Sequence, residues 1–475
     1  MNNCTKSLSH PIFKHISQVS KELGTESYVV GGYVRDIFLH RENKDIDIVT
    51  LGSGIDLAKA VAQKVGISPE NVSVFKNYGT AMFHYQDVDV EFVGARKESY
   101  SQHSRNPQVE EGTLQDDQNR RDFTINAMAI SLMEENYGEL IDPFQGMNDL
   151  KERIIRTPLD PSITFSDDPL RIMRAVRFAA QLHFAIDLTT LEGLQQQAHR
   201  IDIVSKERII DEFNKILLSR KPSDGLLLLD NVGVLPRIFP WLPKLKGTET
   251  VSGYSHKDNF FHTLEVVDKI ALNTNNLWLL WAALLHDIGK PNTKKYVQGQ
   301  GFTFHQHELV GSKMVSKIFR EMKMPQNEKM LYVKKMVFLH LRPIALVEDI
   351  VTDSAIRRLL FDAGDDIDDL MMLCEADVTS KNQVKIKQYL KNFEIVRKKL
   401  KDIEEKDRIR NFQPPISGDL IMQTFHLPPC REVGIIKNAI REAILDGIIE
   451  NQYEPCYQFM MEEAEKLGLT RNPLV

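Results

Sequence analysis

The stretch YVVGGYVRDIFLHRENKDIDIV, residues 28–49, decides how the amino-terminal part of the chain folds. YVV reads as a strand, GYVRDIFLH as a helix and DIDIV as a second strand. Side chains two apart on a strand point to one face, so Asp45 and Asp47 share a face while Ile46 and Ile48 turn to the core. Two carboxylates that close repel unless a cation sits between them. A hard divalent ion such as Mg2+ takes oxygen ligands and bridges to phosphates. Gly31 and Gly32 stand where the helix begins, and bare backbone N–H groups there can receive phosphate oxygens.

Outward from this stretch, NVSVFKNYGTAMFHY, VDVEFVGA and AMAISLM carry further strand character, which makes residues 1–150 an α/β or α+β domain. VDVEFVGAR adds Asp89 and Glu91 on one strand face. DDQNRRDFTINAMAI supplies Arg120 and Arg121, permanently charged planar donors suited to phosphate or ribose oxygens, and Asn126, which can bind a sugar hydroxyl or hold a loop. From DPFQGMNDLKERIIRTP onward, apolar residues recur at helical spacing. DDPLRIMRAVRFAAQL places acids at a helix start, and Asp168 and Arg171, three apart, share one helical face. Near the end, Val433, Ile436, Ile440 and Ile444 form an apolar stripe that reads as core.

At 475 residues the chain is too long for one core, and two to four domains are expected. No apolar run approaches membrane-spanning length, and the start lacks the apolar segment of a signal peptide. Cys4, Cys374, Cys430 and Cys456 are scattered, without metal-type or disulfide-rich spacing, so a reducing cytoplasm is the expected compartment. The net charge of −6 gives no bulk attraction for nucleic acid, although a local basic face suffices to hold phosphates.

GGYVRDIFLHRENKDIDIV, RRDFTINAMA, DPFQGMNDL and DDPLRIMRAVRFAAQL occur in the order and spacing of a known family. The chain resembles the bacterial-type (class II) tRNA nucleotidyltransferase and poly(A) polymerase family, a branch of the DNA polymerase β-like superfamily. The resemblance is dense over residues 25–240. It implies a mixed-sheet head with the active site over 1–150, an all-α neck over 151–245, a body over 246–385 and a helical tail over 386–475. It places the catalytic and Mg2+-binding acids on Asp45 and Asp47, with Glu91 and Arg96 matching the strand acid and its arginine. Nucleotide-binding positions fall on Gly31, Gly32, Arg35, Arg120, Arg121, Asp122 and Asn126. Where relatives read EDxxR for base recognition, this chain reads DDPLR; Asp167 departs from the usual Glu, while Asp168 and Arg171 match. A carboxylate there can accept from an exocyclic amine and a guanidinium can donate to the adjoining ring acceptor, a pair that selects C and A. Arg174 and Arg177 continue the basic helix, with RNA or the protein's own core as the alternatives they face.

The implied activity is addition of CCA to the tRNA 3′ end from CTP and ATP. The alternatives are poly(A) synthesis and addition of CC only or A only. The polar stretch RKESYSQHSRNPQVEEGT supplies the loop that switching from C to A requires, and the tail also resembles CCA-adding relatives. No membrane association and no obligate protein partner are expected.

The body holds a second motif set. His262, His286, Asp287 and Asp377 match the H…HD…D pattern of the HD-domain phosphohydrolases, and His307 and His340 match extra ligands of some members. Imidazole with carboxylate suits Mn2+, Ni2+, Fe2+ or Zn2+. A different reading of the whole chain follows: a metal-dependent phosphohydrolase whose head only binds RNA.

Overall fold

The computed structural model describes residues 3–76, 79–101, 104–251, 254–255, 257–348, 352–379, 383–407, 410 and 412–470. The chain divides into two compact units, Met1–Pro243 and Lys244–Val475.

The first unit begins with Pro11–Leu23 (α1), whose apolar stripe Ile12, Phe13, Ile16 and Val19 is buried. Its sheet contains Ser27–Val30 (β1), Asp45–Thr50 (β2), Ser73–Phe75 (β3), Thr80–Tyr85 (β4) and Val88–Gly94 (β5). Between them lie the helices Gly32–Phe38 (α2) and Gly54–Lys64 (α3). A hairpin follows, Arg96–Ser101 (β6) and Ser104–Glu111 (β7), and then Leu114–Asn119 (α4). Ala129–Ser131 (β8) and Leu140–Ile141 (β9) complete a seven-stranded sheet of order β3-β4-β5-β2-β1-β8-β9. The sheet is mixed, since β2 and β5 run parallel while the other neighbours are antiparallel. β1 is buried along its whole length, as expected of a central strand apolar on both faces.

The stretch expected as a polar loop is this β6–β7 hairpin. Charges of opposite sign stand across it, Arg96 opposite Glu111 and Lys97 opposite Glu110, an arrangement that favours pairing of two otherwise polar strands.

Helices then dominate: Gly146–Glu152 (α5), Pro161–Asp167 (α6), Leu170–Leu182 (α7), Leu188–Gln197 (α8), Lys206–Leu217 (α9), Pro222–Asn231 (α10) and Leu235–Ile238 (α11). The neck expected as all-α also contains a two-residue parallel pair, Ile154–Ile155 (β10) with Ala185–Ile186 (β11). These pieces are too short to leave a period in the sequence.

The second unit runs through Asn259–Ala271 (α12), Leu277–Leu285 (α13), Lys290–Thr293 (α14), His307–Glu321 (α15), Glu328–Leu339 (α16), Arg342–Glu348 (α17), Asp353–Ala363 (α18) and Ile367–Asp377 (α19). Two short hairpins, Thr250–Val251 (β12) with Tyr254–Ser255 (β13) and Lys295–Val297 (β14) with Gly301–Thr303 (β15), again left no sequence signal. α13, LWLLWAALL, is apolar all round, so it becomes the buried axis against which α12, α16 and α19 pack. The long charged helix Gln383–Asp407 (α20) buries Phe393, Val396, Leu400 and Ile403 and leaves its charges on the other face. Gly418–Phe425 (α21), Arg431–Leu445 (α22) and Tyr453–Lys466 (α23) follow. In α22, Val433, Ile436, Ile440 and Ile444 are buried. Among the described residues no helix is long and apolar enough to cross a membrane.

Candidate functional site

The parallel register of β2 and β5 sets Asp45 beside Asp89 and Asp47 beside Glu91. Ile46 and Ile48 are buried on the opposite face, so Asp45, Asp47 and Glu91 share one side of two adjacent strands. Asp89 goes elsewhere: its carboxylate meets His84 Nδ1 at 2.8 Å on an exposed strand pair. Burial pushes the Asp47 carboxyl up; Arg121 opposes the rise and Asp45 adds to it. Glu91 rises for the same first reason, with Asp47 as the repelling neighbour and Arg96 opposing. A divalent cation among these oxygens would replace that mutual repulsion with attraction, so the donor set fits a hard ion.

Gly31 lies against this group. It caps α2 at φ +75°, a conformation costly for any side chain. A Cβ at this position would lie 3.0 Å from Asp47 Oδ2 and 3.1 Å from Arg121 Nη1. At Gly32 the same atom would meet only ordinary contacts at 3.6 Å. The two glycines therefore differ: positive φ and tight approach together favour glycine at the first, and neither applies at the second.

Behind the acids lies a buried ionic lattice. Arg35 binds Asp36 in fork geometry at 2.9 and 2.8 Å and reaches Asn126 Oδ1 at 2.9 Å. Asn126 Nδ2 donates to Asp122 Oδ1 at 3.0 Å, and Arg174 Nε donates to Asp122 Oδ2 at 2.7 Å. Burial alone would raise Asp122, but Arg174 and these hydrogen bonds hold it down to about 2. Asp117, fully buried, binds Arg120 and, at 2.9 Å, Arg121. Arg177 Nε is 2.9 Å from Glu212 Oε2 and its side chain is only 11% exposed. The guanidinium carbons of Arg35, Arg174 and Arg177 lie 5.0, 5.3 and 4.1 Å from the Phe178 ring centre. Arg174 and Arg177 are thus turned onto partners within the unit.

Asp168 and Arg171 do not share a helical face. Asp168 ends α6 in extended conformation, at φ −130° and ψ 97°, because Pro169 follows it and excludes the helical region from the residue before it. Its Oδ1 accepts from Leu170 N at 3.2 Å, and its Oδ2 is 3.3 Å from Arg208 Nη2 on α9. Arg171, in the first turn of α7, donates to the carbonyl oxygens of Thr164, at 3.3 Å, and of Arg120. The two side chains are held separately, each by a different element.

In the second unit the ends of five helices converge. His262 lies on α12, His286 and Asp287 directly follow α13, His307 opens α15, His340 follows α16 and Asp377 ends α19. His286, Asp287 and His340 are almost completely buried, and His262 and His307 nearly so. His262 Nε2 is 2.7 Å from Asp377 Oδ1 and 3.7 Å from Asp287 Oδ2. His307 Nε2 is 3.2 Å from Asp287 Oδ1. His262, His286 and Asp287 form one group able to hold a metal ion, and Asp287, His307 and His340 form another.

Backbone contacts fix the ring tautomers. Nδ1 of His286, His307 and His340 faces the carbonyl oxygens of Ala283, Phe304 and Val337 at 2.7, 2.9 and 2.7 Å. A carbonyl only accepts, so each Nδ1 carries a proton and each Nε2 is the nitrogen turned to the cluster, with a lone pair there whenever the ring is neutral. His307 Nε2 and His340 Nε2 lie 3.3 Å apart. His286 Nε2 lies 3.3 Å from Asp287 and 3.5 Å from Asp377, aligned for a hydrogen bond with neither. Burial would depress His286, but Asp287 and Asp377 outweigh it and push its pKa up to about 10. Burial and the neighbouring His286 take His340 down to about 4. Imidazole Nε2 atoms beside two carboxylates, with His286 Nε2 left without a partner, suit a borderline divalent metal, which would take the place of a proton there. Gly289 completes the packing: a Cβ there would sit 2.2 Å from the carbonyl oxygen of His307.

Asp117, Arg208, Glu212 and Lys290 belong to these sites and were missed in the sequence. Asp117 and Lys290 had a signal, since each stands three or four positions from its partner on a turn or helix. Arg208 and Glu212 had none, lying 40 and 35 residues from Asp168 and Arg177.

Comparison with known proteins fits this geometry. Residues 27–156 match the family described as poly A polymerase head domain, residues 183–245 the "Probable RNA and SrmB- binding site of polymerase A", and residues 259–381 the HD domain. The chain is 41% identical over 225 residues to an A-adding tRNA nucleotidyltransferase of Aquifex aeolicus, covering 46% of this chain and 27% of that protein. It is 33% identical over 311 residues to a CCA-adding enzyme of Anoxybacillus flavithermus, covering 64% and 67% respectively. The crystal structure of the Bacillus stearothermophilus CCA-adding enzyme in complex with CTP shares the fold, with a TM-score of 0.69, 23% identity and coverage of 97% and 99%. This chain spans only about a quarter of the length of the A-adding relatives it matches. The mixed sheet with its strand acids is a head domain of the poly A polymerase kind. The chain belongs to the bacterial-type tRNA nucleotidyltransferase and poly(A) polymerase family, with an HD domain after the head.

Proposed function

We propose that this chain adds CCA to the 3′ end of tRNA from CTP and ATP, without a template, and releases pyrophosphate. The observation that carries the reading is the set of Asp45, Asp47 and Glu91 on adjoining strands, with Gly31 so near that a Cβ there would lie 3.0 Å from Asp47 Oδ2. Asp45 and Asp47 would hold Mg2+, with Glu91 beside them. Bound Mg2+ lowers the pKa of an attacking hydroxyl and neutralises charge on a leaving pyrophosphate. The RNA 3′-hydroxyl attacks the α-phosphorus, and the amides at Gly31 and Gly32 receive the outer phosphates. Asp168 accepts from the exocyclic amine of C or A, and Arg171 donates to the neighbouring ring position. The lattice of Arg35, Asp122, Asn126 and Arg174 holds the phosphate-facing segment and α7 in one frame, so Arg120 and Arg121 are presented at fixed positions.

In this reading residues 1–150 form the head, 151–245 the neck with its RNA-facing helices, 246–385 the HD body and 386–475 the tail. The HD cluster takes Mn2+, Ni2+, Fe2+ or Zn2+ and serves a phosphohydrolase that clears 2′,3′-cyclic or terminal phosphates from RNA ends. The compartment is the cytoplasm, where such substrates are found.

The A-adding relative at 41% identity favours a second reading, addition of the terminal A alone. One experiment separates them. Purified protein is incubated with Mg2+, each labelled nucleotide singly, and tRNA ending either at the discriminator base or in CC. CMP addition to the first substrate and AMP addition to the second support CCA addition. AMP addition to the CC substrate with no CMP addition supports the narrower activity, and no incorporation in either refutes both.

A further inference from the structure

Two lysines stand beside the histidine cluster. Lys290, the first residue of α14, places Nζ 2.5 Å from Asp287 Oδ2. Lys257, just before α12, donates to Thr379 Oγ1 at 3.0 Å, and Thr379 Oγ1 lies 3.0 Å from His262 Nδ1. Although the Lys257 side chain is exposed overall, its ammonium is directed to the cluster through Thr379. Partial burial lowers its pKa; Asp377 and Asp287 oppose the fall, and Lys290 adds to it. Each ammonium is therefore one or two contacts from the ligand set, Lys290 directly on Asp287 and Lys257 through Thr379 to His262.

A divalent ion held by Asp287 would compete with the Lys290 ammonium for the same oxygen. The four-carbon stem lets that head group turn to an anion beside the metal. Lys257 reaches the cluster from the α12 side, so the two charges approach from different elements.

We propose that Lys257 and Lys290 clamp a dianionic phosphomonoester against the metal cluster, so that the HD site takes a terminal phosphate in preference to a cyclic phosphodiester. This rests on the metal-centre reading given above. A terminal phosphate carries close to two negative charges and three free oxygens; a cyclic diester carries one charge and two. Two ammonium groups beside a divalent cation favour the dianion by charge alone, and charge-assisted hydrogen bonds to its extra oxygen add to the difference.

The test uses the full chain carrying Asp45→Ala and Asp47→Ala, so that the head does not compete for the probe, loaded with Mn2+. Metal content is measured by elemental analysis, and binding is read from broadening of the 31P resonance by bound Mn2+. The probes are inorganic phosphate, cytidine 3′-monophosphate and cytidine 2′,3′-cyclic monophosphate. Lys257→Ala is expected to weaken phosphate binding about tenfold at unchanged Mn2+ content, and Lys257→Arg to retain most of the affinity. The monoester is expected to bind more tightly than the cyclic ester, with the gap closing when Lys290→Ala is added to Lys257→Ala. Unchanged phosphate affinity in that double variant, with Mn2+ still bound, overturns the clamp alone. Failure of the parent protein to take up Mn2+ at the cluster overturns the metal centre and the clamp together.

Discussion

The two units hold their acids in opposite ways. In the first, Asp45 and Glu91 lie at an open strand face and only Asp47 is recessed. In the second, Asp287 is sealed among the imidazoles of His262, His286 and His307, of which His286 and His307 turn Nδ1 to backbone carbonyls and His262 to the Thr379 hydroxyl. The first arrangement offers exposed oxygen ligands; the second offers a buried nitrogen and oxygen cage. Separate units of one chain thus present two donor sets of different chemistry, carboxylate oxygens alone in the first and imidazole nitrogens with carboxylates in the second.

The comparison can be broken first at the strand acids. Asp45→Ala with Asp47→Ala is expected to reduce nucleotide incorporation about a thousandfold or more, measured with labelled CTP and ATP, while the cluster in the second unit keeps its metal. Incorporation near the parent rate would show that the head acids are a solvated strand edge. Gly31→Ala tests the same face without removing a carboxylate. Its Cβ would press on Asp47 and Arg121 at a left-handed φ, so incorporation should fall about a hundredfold with the far-ultraviolet circular dichroism unchanged.

Asp122 sharpens the contrast through pH. Its pKa in the folded chain, about 2, lies below its ordinary 3.8. The stabilisation is therefore fully present above pH about 4 and is lost as pH falls through about 2, a contribution of about 2 kcal/mol. Asp122→Asn should lower stability in urea at pH 7 by about that amount and flatten the acid limb of the stability curve; a limb of unchanged slope would contradict the assignment. The smallest effect is expected at Arg208→Ala. Arg208 is 40% exposed and lies 3.3 Å from Asp168, so its loss should cost only a few-fold in discrimination between ATP and GTP. A change in overall rate with discrimination intact would mean that Arg208 does not orient Asp168.

Much of this was legible in the sequence, for reasons that can be named. Asp45 and Asp47 follow from the two-residue strand period, and α13 from an unbroken apolar run that ends at His286 and Asp287. The β6–β7 hairpin was not legible, because its strands are polar and their pairing depends on charges across the ribbon. Asp168 was misplaced because its spacing from Arg171 was read as helical when Pro169 forbids a helix at Asp168. The hold of Arg208 on Asp168 and of Glu212 on Arg177 arises only when α9 packs beside α7, and no local pattern records that contact.

The most direct test of the two-site account compares His286→Ala with the Asp45→Ala and Asp47→Ala double variant, reading nucleotide incorporation in Mg2+ and bound transition metal in each preparation. His286→Ala is expected to lose the transition metal yet still extend tRNA, whereas the double variant is expected to keep the metal and extend nothing. Loss of both properties together in either protein would contradict it.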